Sequence, residues 1–542
     1  MAADLQTGGV LLDELCFSRA KRERRRQRLE PPGAEAARGE RPPRIAPLVK
    51  LVLSALAVVA LFLALRIAAP LPWSYDEYYH LGLARELRAD WRMTSLRWTP
   101  FSLLYDHFAD KEPLFHLLLL PLSGLPLVTA ATLGVALGLG FAVGAFAWAM
   151  WMLRVPRPWW FVAALAALGP LPAQRLEMCR PHVWLIGFAV LAMALLVERR
   201  WIALAVVSAL FGLAHTGGWI SIAMAGVWLG AARLVRDEAE PRPWPWQALA
   251  ATAGGWLAGQ LLHPQLPANF ALFVAQNFVV PFQSTAAGDA ALRSVIGTEL
   301  SPPRLTLWLQ QWPALVVAGL VAVGLAAQLR SPARQRSRAV LTASAFALAF
   351  VVAGSLLIRR FLEIGAPLAL LALALQIRER GAHGPAPERG GSRRLWAALG
   401  IALGAAWTVM VLVAFGFGLA SPPLAMARFM AANGKPGERV FTAQWADSAP
   451  LLYFAPQLQS LVALDPTFFY LHDRQRFAEY VDIIEGRRSD PARDIRQRFG
   501  ARWVTIWRVP VFQRLAIQLR DSPGVKIVFN DRDYVVMDLG PG

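Results

Sequence analysis

Trp73-Ser74-Tyr75-Asp76-Glu77-Tyr78-Tyr79-His80 follows directly on a long apolar run, and this abrupt change governs the reading of the whole chain. From Trp73 to His116 the sequence places Asp76, Glu77, His80, Glu86, Asp90, Asp106, His107, Asp110, Glu112 and His116, a density of carboxylates and imidazoles that few other segments approach. Asp76, Tyr79 and His80 stand three and four positions apart, so with Ser74 as N-cap they share one face of a helix. An acid, a phenol and an imidazole then look the same way from a membrane rim.

Outside this stretch the chain is too apolar for a soluble multidomain protein. Of its 542 residues, 56% are hydrophobic, and the mean hydropathy is +0.40, as in polytopic α-helical membrane proteins. A helix that crosses hydrocarbon needs roughly 20 mostly apolar residues, because the backbone finds no water there. About eleven such runs are legible. They fall near residues 46–69, 127–153 and 159–171, in a run ending at Glu198, and in two short runs hinged at His215-Thr216-Gly217-Gly218. The rest lie near 248–262, 313–328, 339–358, 361–377 and 396–419.

The net charge of +18 would suggest nucleic acid in a soluble protein. Here the arginines sit in short connectors between apolar runs, which is a topology signal and calls for no nucleic-acid partner. The basic residues 1–44 are expected to form a disordered cytoplasmic tail, close enough to touch anionic membrane lipids. Residues 45–419 then form the transmembrane domain, with external loops at 70–126 and 263–312. The second loop carries an aromatic segment, 270–282, suited to the interface. Because the first apolar run begins only near residue 45, it is expected as an uncleaved anchor. Cys16 and Cys179 fall on opposite sides of the membrane and make no disulfide framework.

Residues 420–542 change character and are expected as a small external α/β domain. Strand-like runs at 440–442, 503–507, 525–529 and 534–537 alternate with helical patterns. One helix is punctuated by Ser489 as cap, Pro491 in the first turn and Gly500 past the end. The arginines that break the inside pattern are Arg175, Arg180, Arg359 and Arg360, in very short outward connectors.

A first spanning helix followed at once by Asp76-Glu77-Tyr78-Tyr79-His80, and then by Asp110-Lys111-Glu112-Pro113-Leu114-Phe115-His116, resembles the integral-membrane glycosyltransferases of the GT-C fold. The run from Asp76 to Arg85 looks most like the oligosaccharyltransferase branch. The resemblance implies a bacterial inner-membrane enzyme with a cytoplasmic N-terminus and a periplasmic C-terminal domain. Its donor would be a sugar on a polyprenyl phosphate or diphosphate, its acceptor a glycan, lipid or protein.

The same resemblance implies that Asp76, with Glu77 beside it, is the key acid of the first loop, as catalytic base or as ligand of a divalent cation, Mg²⁺ or Mn²⁺. Chemistry asks for such a carboxylate independently, since attack on an anomeric carbon needs a group to accept a proton or hold a cation. Glu177 resembles the second acidic, metal-holding site, although a single glutamate stands where an Asp-x-Asp motif is expected. The other reading pairs it with neighbouring arginines. Glu299 sits where that branch carries an acid in a mobile loop. Trp445-Ala446-Asp447 only faintly resembles its Trp-Trp-Asp signature, so sequon reading is not expected.

Arg359 and Arg360 are the strongest basic candidates, because a guanidinium forks onto phosphate oxygens and neutralises charge as a phosphate leaves. They could also serve as snorkelling anchors. Tyr79, His80 and His215 are expected to line the substrate site, with His182 and His263 as looser candidates. Two other classes stay open. One is a transporter or flippase of an anionic amphiphile, which would show mid-membrane polar groups or internal symmetry. The other is a non-catalytic envelope scaffold.

Overall fold

Each apolar run expected from the sequence is largely helical over its described residues in the computed structural model. It describes residues 45–68, 74–235, 246–283, 288–295, 300, 302–383, 391–413, 423–462 and 465–540. The basic tail 1–44, Trp73 and Glu299 lie outside the described residues. Five helices are long and apolar enough to cross a membrane: Ala46–Ala68, Leu127–Met152, Trp312–Arg330, Arg338–Leu356 and Phe361–Gly381. Pro170–Leu176 with Pro181–Val197, bent by 107° at their break, makes a sixth if taken as one span. The remaining runs are shorter helices, Trp201–Ala214 at 14 residues and Trp246–Leu261 at 16 among them. By length and composition the count among the described residues is therefore five or six, where the sequence led us to expect about eleven.

The run expected at 159–171 is not one rod. Pro158–Ala164 gives way to a 3₁₀ turn, Leu165–Ala167. Gly169 then adopts φ +108°, a conformation open to glycine and costly for other residues, and Pro170 starts a separate helix. The chain thus re-aims just before Glu177.

The short helices pack closely through glycine. A Cβ added at Gly255 would sit 2.2 Å from the Ala205 carbonyl oxygen, and one at Gly259 would sit 2.4 Å from that of Ala209. The helices Trp201–Ala214 and Trp246–Leu261 therefore touch backbone to backbone, as a small-xxx-small pair allows in a membrane. Gly255→Val is expected to separate them at a cost of about 3 kcal/mol or more, at the upper end for overpacking. The check is a lower melting temperature and loss of the monodisperse peak in detergent, with Gly254→Val as control, since a Cβ there meets nothing within 4 Å.

The C-terminal segment forms a five-stranded sheet in the order β2-β1-β3-β5-β4, built from Arg439–Thr442 (β1), Gln459–Ser460 (β2), Ala501–Trp507 (β3), Lys526–Asn530 (β4) and Tyr534–Asp538 (β5). β1 runs parallel to β2 and β3, and β5 runs antiparallel to β3 and β4. Arg502 ties β3 to β5 by a fork onto Asp538 at 2.9 and 2.8 Å and also reaches Glu438 at 2.7 Å. The helix Pro491–Phe499 is capped by Asp490, whose carboxylate accepts from the Arg493 amide, rather than by Ser489. A carboxylate immediately before the N1 proline outcompetes the hydroxyl one residue earlier.

This segment is not remote from the membrane helices. Tyr78, Leu83 and Leu87 of the first-loop helix share one hydrophobic cluster with Met426, Leu452 and Trp503. The sheet is thereby held over the carboxylate-rich loop.

Candidate active site

Ser74 caps the helix Tyr75–Ala89, its hydroxyl accepting from the Asp76 amide at 3.1 Å. The first turn is thereby fixed, and Asp76, Tyr79 and His80 face a common cavity of about 530 Å³. Its far wall comes from the connector between Arg338–Leu356 and Phe361–His383, which supplies Arg359 and Arg360. Arg180, His182 and His215 come from the break before Pro181 and from the hinge after Ala214, and Gln444, Trp445 and Ala446 close it from the sheet side.

Several polar contacts hold these groups in place. Arg180 pairs with Asp76. Arg360 approaches His182 Nδ1 at 3.3 Å, and the His182 and His215 rings meet edge to face at 5.0 Å. His215 Nδ1 accepts from the Gly217 amide at 2.8 Å, which leaves its Nε2 to carry the proton. Glu363, three residues beyond Arg360, is buried in an ion pair with Arg175 at 2.7 Å, so the arginine connector is anchored from below. Across the cavity Lys111 lies 3.9 Å from Asp465.

Beneath His80 runs a buried polar chain. Both oxygens of Asp110 lie 2.8 Å from His116 Nδ1, and His116 Nε2 lies 2.9 Å from His80 Nδ1. Burial lowers the basicity of His116, but the Asp110 charge and hydrogen bond outweigh it and hold the ring above the ordinary histidine range. His80 is driven well below that range by burial and then by His116, Arg180 and Lys111. Burial pushes the Glu112 carboxyl up to about 7, against the pull of Lys111 and His116. Ligand atoms of His80, Glu112 and His116 all lie within 4.8 Å of one another, a group that could hold a metal ion.

The expected residues separate into two sets. Asp76, Tyr79, His80, His215, Arg359 and Arg360 line one cavity. Glu77 does not line it. Its carboxylate is buried against Arg66 at 2.9 Å and accepts from the Cys179 amide at 3.2 Å. Glu177 is likewise away from the lining, near the charge of Arg66, and neither of its carboxylate oxygens has a hydrogen-bond partner among the described residues. Asp76 and Glu177 are thus not brought together in the cavity lining. His263 is drawn instead to the Asp110 carbonyl, at 2.9 Å. Lys111, Glu112, Gln444 and Asp465 belong to the cavity without having been singled out for it. The carboxylate-rich loop could have flagged the first two, whereas Gln444 and Asp465 carry no local signal.

Trp445 lines the cavity and donates to the Val295 carbonyl at 2.9 Å, but Asp447 turns away into the sheet. It accepts from the Tyr534 hydroxyl at 2.9 Å, and burial pushes its carboxyl up to about 8 although that bond pulls it down. The native state thus keeps a proton that the unfolded chain releases near pH 4, so stability falls as pH rises through that window and levels off above about 8. Asp447→Asn, which lacks this titration, is expected to melt above wild type at pH 9, with the gap narrowing at pH 5. Parallel melting curves at the two pH values check it.

No family model matches the chain, and no curated protein matches it. Solved structures do. The apo oligosaccharyltransferase of Archaeoglobus fulgidus aligns with a TM-score of 0.60 at 14% identity, over 85% of this chain and 69% of that one. AglB from Archaeoglobus fulgidus, in complex with an inhibitory peptide and a dolichol-phosphate, gives 0.55 at 13% identity, over 83% and 69%. ArnT from Cupriavidus metallidurans, bound to undecaprenyl phosphate, gives 0.53 at 16% identity, over 90% and 98%. Identities this low speak for architecture alone, and the architecture of this chain is the GT-C fold of the membrane glycosyltransferases.

Proposed function

We propose that the chain transfers a sugar or oligosaccharide from a polyprenyl-phosphate or -diphosphate donor to an acceptor at the external face of a bacterial inner membrane. The observation that carries this reading is the placing of Asp76 and the Arg359–Arg360 pair on one cavity. In transfer the bond between the anomeric carbon and the phosphate oxygen breaks, and its electron pair leaves with the phosphate. Arg359 and Arg360 neutralise that growing charge. The acceptor oxygen or nitrogen forms the new bond, and its proton passes to Asp76, whose carboxylate Arg180 holds in position. Tyr79, His80 and His215 orient the sugar.

The solved structures of this fold that carry dolichol-phosphate or undecaprenyl phosphate support a lipid-phosphate donor. The proton transfer rests on Asp76, since Glu177 does not line the cavity. Arginine-rich connectors inside and residues 420–542 outside would put the cavity on the external face. Comparing lipid-linked sugar pools and surface glycans with and without the gene tests the reading. Accumulation of one lipid-linked sugar and loss of its glycan product support it, and unchanged pools and glycans oppose it.

A further inference from the structure

We infer that His80, Glu112 and His116 form a site for Zn²⁺ or a similarly borderline divalent ion, in the wall of the cavity and apart from the Asp76–Glu177 pair. Glu112 stands at the N-cap position of the helix Pro113–Leu119 without a side-chain cap bond, and His116 lies four residues on, so both can reach His80 from one side. All three are buried, at 4%, 6% and 0% exposure, and their ligand atoms lie within 4.8 Å of one another.

Two further observations point to an ion. The Asp110 carboxylate grips His116 Nδ1 through both oxygens at 2.8 Å, so His116 Nε2 presents a lone pair toward His80. A carboxylate behind a ligating imidazole is the usual outer support of a bound metal. Asp110 is itself braced, its side chain accepting from the Glu112 amide at 3.0 Å and its carbonyl meeting His263 Nε2 at 2.9 Å. Second, Glu112 Oε2 is buried with no hydrogen-bond partner among the described residues. A proton shared by the two imidazoles would satisfy them and leave that oxygen orphaned, whereas a cation would satisfy all three.

The donor set selects the ion class. Two imidazoles and one carboxylate suit Zn²⁺, while Mg²⁺ and Mn²⁺ favour oxygen donors. Because His80 and Glu112 line the cavity, the remaining position would face substrate. Of the cations lining the cavity, Arg180 and Lys111 each have a carboxylate close by, Asp76 and Asp465, and Arg360 also acts on Glu112 through its charge. The site stands whether or not the transferase reading does.

The full chain, purified in detergent without chelator, is expected to carry about one zinc per chain by elemental analysis. After stripping, Co²⁺ should give the visible ligand-field bands of a low-coordinate nitrogen and oxygen site. Asp110→Asn should weaken Co²⁺ binding about 10- to 100-fold, His116→Gln should abolish it, and Glu177→Gln should leave it unchanged. Should His116→Gln not fold, X-ray absorption on the wild-type zinc form decides, with two imidazoles expected at about 2.0–2.1 Å. Wild type without zinc and without a Co²⁺ spectrum would overturn the assignment, as would stoichiometric zinc in folded His116→Gln or its loss in Glu177→Gln.

Discussion

Asp76→Asn is expected to lower transfer at least about a hundredfold, the range in which a positioned general base contributes, while the protein stays folded in the membrane. The amide keeps the shape and the cap bond, since Ser74 accepts from the residue-76 backbone amide rather than from its side chain. It loses the proton acceptor and the charge that faces Arg180. The measurement is release of polyprenyl phosphate from lipid-linked sugar extracted from the native membrane, followed with time in detergent. Asp76→Glu, which restores the charge on a longer arm, should recover part of the rate. Full activity in folded Asp76→Asn would remove this carboxylate from the chemistry.

The double change Arg359→Ala, Arg360→Ala should act on the donor. A hydrogen bond to a charged group contributes about 1.5–3 kcal/mol, which makes the loss about ten- to a hundredfold in kcat/KM for the donor for each effective contact. The KM for acceptor should stay near the wild-type value. Arg359→Lys, Arg360→Lys should recover only part of the donor effect, because an ammonium keeps the charge but not the planar fork. Equal losses for donor and acceptor would argue that the arginines shape the cavity rather than hold phosphate. The anchored connector makes the comparison clean, since Glu363 keeps its buried partner Arg175 in both variants.

How far the sequence carried these expectations follows from the physics of each signal. Apolar runs are read from composition, and over the described residues each is largely helical. Their lengths did not follow, because Gly169 with Pro170 and the Gly255–Gly259 contact set where helices stop and how closely they approach. The Ser74 cap and the shared face of Asp76, Tyr79 and His80 rest on helical spacing and appear as read. Four of the five strands fall where alternation placed them, while β2, two residues long, offers no pattern to see.

The site was legible where charge interrupts apolar sequence and illegible where pairing is long-range. Arg359 and Arg360 stood out as outward arginines, and the cavity includes both. Nothing local reveals that Glu77 would be buried against Arg66 or that Arg180 would answer Asp76 across a hundred residues of chain. The contact between His80 and His116 is of the same kind, since it joins two helices. Asp447, next to a cavity tryptophan, faces the sheet because Tyr534 offers a buried hydroxyl there.

The most direct test needs no knowledge of the sugar. Purified chain in nanodiscs is mixed with equal amounts of undecaprenyl phosphate and the corresponding alcohol, and native mass spectrometry counts the lipid that stays bound. Retention of the phosphate over the alcohol, lost in Arg359→Ala, Arg360→Ala, is the result expected if the cavity is built for a lipid-phosphate leaving group. Equal retention of both lipids by wild type, or an undiminished preference in the double variant, would contradict it.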